Sequence, residues 1–245
     1  KMTHLNPKAN RLFQLVKDVR KLMDGETVHA RSYDHKTGNF LPRKIRKSRN
    51  VVLVDGLHSL YPKQLLQEFD ARFFIKMDEA LKLSLRLKRD VEERGHTQQE
   101  VLDDIDRRKH DSEKYIKPQA ERADVVFSII PVNPNLLNKG HSNHSNLKVK
   151  AFIRNGVYYD ELVRVLIGVC GLQVNIDSID ERGEVILDIS GDVSPEDINL
   201  AIHMLVPHME ELFDFNPDFA SGVQGIMQII ALMEMDEALK RRRGR

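Results

Sequence analysis

Val125-Val126-Phe127-Ser128-Ile129-Ile130, within a strand read over Ala123–Ile130, carries five apolar residues in six with no alternation, the pattern of a strand covered on both faces of a sheet. Two comparable runs precede it, Val51-Val52-Leu53-Val54 and Ala71–Lys76. Helical periodicity fills the gaps between them. Pro62–Phe69 reads as a short helix, and a long one runs from about Asp78 to Glu93, where Gly95 stops it. Another starts at Thr97, a good N-cap, and runs toward Ser112. Strands separated by helices predict an α/β fold with a parallel sheet.

Upstream, Asn6-Pro7 leads into an amphipathic helix with Leu12, Leu15, Val16, Val19, Leu22 and Met23 at spacings of three and four, capped by Gly25. Downstream, residues 132–146 are rich in Asn, Pro and His and lack apolar periodicity, which predicts a linker. Residues 147–245 then read as a smaller α+β domain. It has a strand over Leu147–Arg154, a helix over Tyr159–Ile167, and strands Leu172–Ile176 and Glu184–Ile189. A helix follows with Ser194 at the N-cap and Pro195 at its first position, and a very apolar last helix ends in a basic tail. In that last helix Val223, Ile226, Met227, Ile229, Ile230, Leu232 and Met233 cover most of the circumference. A helix apolar all round must be buried, so part of it is expected against a second subunit, as a homodimer or larger assembly through this half, with burial inside its own chain as the alternative.

The chain has 245 residues with 38 basic and 37 acidic side chains, a net charge near +1. No field of one sign dominates, so a general binder of nucleic acid or of membrane surfaces is not expected. Cys170 is the only cysteine, which excludes an intrachain disulfide and a CxxC zinc site. No apolar run is long enough to span a bilayer and the first residues lack a signal-peptide core, so a cytoplasmic location is expected.

The long helix places Lys82, Arg86, Arg89 and Asp90 within an arc of about 100°, with leucines on the remainder. Arg94 lies just past the arc. Planar guanidinium forks around one carboxylate suit the clamping of phosphoryl oxygens; the simpler reading is a solvated face of i,i+4 ion pairs. Asp55, after the run 51–54, stands where a parallel sheet collects ligands and metals. His35, in the loop Tyr33-Asp34-His35, can meet a sugar hydroxyl or a phosphate. Arg107-Arg108-Lys109-His110 forms a second basic cluster, which at a helix C-terminus also complements the macrodipole.

His4-Leu5-Asn6-Pro7-Lys8-Ala9-Asn10, Tyr33-Asp34-His35-Lys36-Thr37-Gly38 and Val54-Asp55-Gly56-Leu57-His58 resemble motifs of the phosphoribulokinase/uridine kinase family of P-loop kinases. So do Lys88-Arg89-Asp90-Val91-Glu92-Glu93-Arg94-Gly95-His96, Arg107-Arg108-Lys109-His110-Asp111 and Tyr115-Ile116-Lys117-Pro118-Gln119 with Ala123-Asp124-Val125-Val126. The match runs over about residues 3–131 in the family's order, and is nearest to its plant and cyanobacterial phosphoribulokinase branch. The resemblance implies a kinase-like unit over residues 1–131, and transfer of the ATP γ-phosphate to a hydroxyl of a sugar, sugar phosphate or nucleoside. It implies Tyr33 and His35 at the acceptor, Asp55 toward Mg²⁺ in place of the family's glutamate, Arg86 near the phosphates, and Arg89, Asp90 and Arg94 as the catalytic motif.

None of the 13 glycines is followed by lysine, so the chain holds no P-loop. The start at His4, inside a motif, leads us to expect the P-loop and the catalytic base upstream of this chain. A non-catalytic kinase-like module that binds a phosphometabolite or scaffolds partners is the rival expectation.

Overall fold

The structure is a computed structural model that describes residues 2–31, 33–34, 38–133, 147–156, 159–179, 184–209, 213 and 217–243. A 3₁₀ turn, Pro7–Ala9, capped by the Asn6 side chain, leads into α1 (Leu12–Met23). Four short strands follow, β1 (Val28–Ala30), β2 (Tyr33–Asp34), β3 (Asn39–Phe40) and β4 (Lys44–Arg46). They nest as two antiparallel ribbons, β1 with β4 and β2 with β3. Next come α2 (Lys63–Leu66), β5 (Phe73–Met77), α3 (Glu79–Leu87), α4 (Gln98–Asp111) and β6 (Val125–Pro131). The remaining elements are β7 (Leu147–Ile153), α5 (Tyr159–Gly168), β8 (Gln173–Ile179), β9 (Val185–Ser190), α6 (Pro195–Leu205) and α7 (Gly222–Arg243).

One sheet organises the molecule, in the order β5-β6-β7-β9-β8. β5 and β6 run parallel, with Phe73 opposite Val125. All later pairs are antiparallel, beginning with Val125 opposite Ile153 across β6 and β7. On one face Val125, Phe127, Val149, Ala151, Ile153, Leu187 and Ile189 meet Leu162 of α5, Ile198 and Ile202 of α6, and Ile226, Ile229 and Ile230 of α7. Fully burying an aliphatic side chain of this size contributes about 1.5–3 kcal/mol, so this layer carries most of the apolar stabilisation. On the other face Val126, Leu60 and Ala123 pack with Leu66, Phe69, Phe74 and Phe152.

Three expectations change. Residues 51–54 form no strand, and Leu53 is 85% exposed. An apolar run becomes a buried strand only beside a ladder partner; among the described residues none pairs with it, and β5 remains an edge. The strands on either side of residues 132–146 belong to the same sheet and core. The division read there marks a change from parallel to antiparallel pairing. Finally, the apolar girdle of α7 is covered by its own chain, with Val223, Ile226, Ile229, Ile230, Leu232 and Met233 each 6% exposed or less. The sheet and α6 supply the cover that a second subunit was expected to give. No helix among the described residues is long and apolar enough to cross a membrane.

Candidate functional site

Asp78 begins α3 by accepting from the backbone N–H groups of Ala80 and Leu81. Leu81 turns inward and is buried, while Arg86 meets Asp90 and Asp104. After Leu87 the helix widens into a π-helical turn, Lys88–Glu93. Such turns are rare and recur at functional sites, because the wider turn re-aims side chains. Here it carries Arg89 and Asp90. Gly95, at φ +73°, ends the segment, and the N–H of His96 bonds back to the Asp90 carbonyl.

Asp90 is 7% exposed and accepts from three arginines. Arg89 Nε lies 2.8 Å from Oδ1 and its Nη2 3.1 Å from Oδ2. Arg94 Nη1 is 3.1 Å from Oδ1, and Arg86 Nε is 3.4 Å from Oδ2. The Arg89 hydrogen bond above all, against the opposing effect of burial, holds the Asp90 carboxyl down at about 2, with Arg86 and Arg94 adding to it. A solvated face is thereby excluded for Asp90, although Arg89 and Arg94 keep 48% and 54% of their side chains exposed.

α4 is fixed by a reciprocal capping box. Thr97 accepts from the Glu100 N–H and Glu100 accepts from the Thr97 N–H. This holds Asp104 against α3, where it pairs with Arg86, Arg107 and Arg108, the last at 2.6 Å. The two basic clusters seen in the sequence are therefore one constellation. Five guanidiniums surround two carboxylates, Asp90 and Asp104, leaving an excess of positive charge. Burial, with Arg86 and Arg107 beside it, lowers the Arg108 pKa despite the pull of Asp104. Arg108 stays charged at any ordinary pH, and the crowding of cations around it favours an anion nearby.

The N-terminal segment closes on the end of α4. Thr3 Oγ1 donates to Asp111 Oδ2 at 2.6 Å, and Asn10 donates to the His4 carbonyl at 2.9 Å. Burial and the nearby Arg108 push the His4 imidazole below its ordinary pKa. His58 is 5% exposed, and among the described residues none meets its ring nitrogens in good hydrogen-bond geometry. Gln119 holds the turn around it, accepting from the Leu60 N–H and donating to the carbonyls of Leu57 and Tyr115. Asp124 takes a bidentate fork from Arg72, at 3.0 and 2.6 Å. The motif residues Asp111, Gln119 and Asp124 thus act as braces.

Of the residues singled out in the sequence, Arg86, Arg89, Asp90 and Arg94 come together. Asp55 is exposed and makes no hydrogen bond or ion pair to that cluster among the described residues. Tyr33 lies on β2 opposite Phe40, and His35 falls outside the described residues. Asp104 was missed, although Arg107 and Arg108 at i+3 and i+4 were its signal. Among the described residues no three His, Cys, Asp or Glu side chains converge as a metal cage. A magnesium ion shared with phosphates needs only one or two carboxylates, so Asp55 fits as one ligand and no more.

The family described as "Phosphoribulokinase / Uridine kinase family" matches residues 1–135. Phosphoribulokinase from Synechocystis is 33% identical over 130 residues, 53% of this chain and 39% of that protein. The chloroplastic phosphoribulokinase of Spinacia oleracea is 30% identical over 131 residues, covering 54% of this chain and 33% of the other. Uridine-cytidine kinase A of Dictyostelium discoideum is 32% identical over 143 residues, covering 56% and 28%. The chain thus spans about two fifths or less of the length of these relatives. Among solved structures, phosphoribulokinase from Rhodobacter spheroides superposes with a TM-score of 0.62 at 20% identity, covering 86% of this chain and 76% of that one, a likeness of fold.

Proposed function

The chain belongs to the phosphoribulokinase/uridine kinase family, and from that premise we propose that it serves an ATP-dependent kinase acting on a hydroxyl of a sugar, sugar phosphate or nucleoside. The observation that carries this reading is the gathering of Arg86, Arg89 and Arg94 about the buried Asp90. Phosphoryl transfer asks of a protein chiefly positioning and electrostatic stabilisation, since the charge spreads over peripheral oxygens. Arg89 and Arg94 keep exposed donors for those oxygens, and Asp90 sets their direction.

The family implies ATP as phosphoryl donor and usually Mg²⁺. The residues of this chain do not form a P-loop cradle for the nucleotide, and Asp55 supplies a single carboxylate for the ion. In our reading Tyr33 and His35 hold the acceptor, Asp55 faces the metal, and the arginines meet the phosphate groups. A homodimer through the C-terminal half also remains a proposal. With α7 covered, it rests on another face, and light scattering at micromolar concentration decides it against a 28.3 kDa monomer.

Calorimetry with ribulose 5-phosphate, uridine monophosphate and inorganic phosphate, at low and high ionic strength, tests the reading. We expect binding of phosphorylated compounds that weakens with salt. A folded chain that binds no phosphorylated small molecule would overturn it.

A further inference from the structure

Asp104 stands where α3 and α4 meet, with 17% of its side chain exposed. It accepts from Arg86 across the helix pair and from Arg107 and Arg108 one turn further along its own helix. Arg86 is shared. Its Nε is aimed at Asp90 and its Nη2 at Asp104, so two carboxylates fix the plane of one guanidinium. The result is a continuous relay: Arg89 and Arg94 on Asp90, Asp90 on Arg86, Arg86 on Asp104, and Asp104 on Arg107 and Arg108.

We propose that Asp104 is a positioning residue that joins the two basic clusters into one anion-binding surface, with Arg108 and Arg107 extending the reach of the Arg86–Asp90 clamp. The proposal rests on the kinase reading for its ligand but not for its geometry. Asp104 acts through the arginines and does not itself meet the ligand.

Two effects of opposite sign compete. As a charge, Asp104 offsets cations that would otherwise attract an anion, so removing it should tighten anion binding. As a bracket, it keeps three guanidiniums in one place despite their mutual repulsion. Without it, among the described residues Arg86 retains the 3.4 Å contact with Asp90 alone, and Arg107 and Arg108 lose their shared acceptor. Planar, oriented forks recognise phosphate oxygens far better than dispersed ones, so the bracket outweighs the charge.

The test compares Asp104→Asn and Asp104→Glu with Asp103→Asn, an exposed neighbour on α4 that accepts from Gln99. The probes are inorganic pyrophosphate and ribulose 5-phosphate, titrated by calorimetry. Asp104→Asn is expected to weaken binding about tenfold, Asp104→Glu to restore most of it, and Asp103→Asn to leave it unchanged. Equal or tighter binding by Asp104→Asn would overturn the proposal, because charge would then be its whole role. A second measurement needs no ligand. In nuclear magnetic resonance spectra of the free chain, Asp104→Asn should speed solvent exchange of the Arg86 and Arg108 side-chain protons and spare those of Arg89. Unchanged Arg86 and Arg108 signals overturn the bracket. If the wild-type chain binds neither probe, the kinase reading fails while these signals still decide Asp104. If both Asp104→Asn and Asp104→Ser fail to fold while Asp103→Asn folds, Asp104 is a structural brace and the proposal is wrong.

Discussion

Arg89 and Asp90 are consecutive in sequence, yet Arg89 makes the two-pronged contact with the Asp90 carboxylate, at 2.8 and 3.1 Å, while Arg86, one turn earlier, reaches it only at 3.4 Å. On a regular α-helix i,i+1 side chains do not face each other, whereas i,i+4 side chains do. The π turn Lys88–Glu93 accompanies this inversion and draws Arg86, Arg89 and Arg94 onto a single acceptor.

Asp90→Asn should therefore affect both fold and function. Leaving three guanidiniums short of a charged acceptor costs about 1–3 kcal/mol of stability, discounted toward the low end because Arg89 and Arg94 are half exposed. In a protein with kinase activity, the loss of an organiser of transition-state charge should lower kcat by about 10²-fold or more. Urea denaturation measures the first effect and steady-state kinetics the second.

The Asp90 contribution should fade in acid. Its carboxyl is held at about 2 in the folded chain against an ordinary value of 3.8. A depressed carboxylate stabilises fully above its unfolded pKa and loses that contribution as pH falls toward the folded one. The stability gap between the wild type and Asp90→Asn should be full at pH 5, shrink below pH 4 and be nearly gone by pH 2, on the same denaturation curves.

His58 makes a separate prediction, nearer neutrality. Burial pushes its imidazole below the ordinary 6.5, only partly opposed by the nearby His4 backbone, and no described residue meets either ring nitrogen in good hydrogen-bond geometry. The folded state therefore binds a proton less readily than the unfolded one, and stability falls as pH drops below about 6.5. His58→Phe, which keeps a ring beside Tyr61, should flatten the part of the pH–stability profile just below pH 6.5 that His58 contributes. An unchanged slope would locate the acid sensitivity elsewhere.

Gly225→Ala should destabilise although alanine is the better helix former. A Cβ there would lie 2.2 Å from the Ala220 carbonyl oxygen and 2.7 Å from Ile198 Cγ1. The propensity gain is about 1 kcal/mol, and overpacking a tight contact costs about 1–3 kcal/mol. Because the nearest atom is backbone, it yields less easily than a side chain. A melting temperature lower by about 2–6 °C is expected for a chain of this size, by calorimetric scan.

Much of this was legible in the sequence. Asp78, Thr97 and Ser194 begin the helices they were expected to begin, because caps act over three or four residues. The strand at Val125–Pro131 followed from its own apolar run. The arginines and Asp90 followed from helical spacing and from the family motifs, though not the π turn that points them together.

Other features depended on partners far along the chain. Residues 51–54 have the composition of a strand and lack a ladder partner among the described residues. α7 was expected to need a second subunit, and its cover is the sheet and α6 of its own chain. The change at residues 132–146 looked like the end of a domain, yet β6 and β7 continue one sheet. Arg86 and Asp104, 18 residues apart, meet only because α3 and α4 lie side by side. Local periodicity and caps are written in neighbouring residues, so the sequence by itself determined the elements and their faces. Ladder pairing and ion pairs between helices depend on which surfaces are brought together at a distance, and the tertiary structure alone decided those.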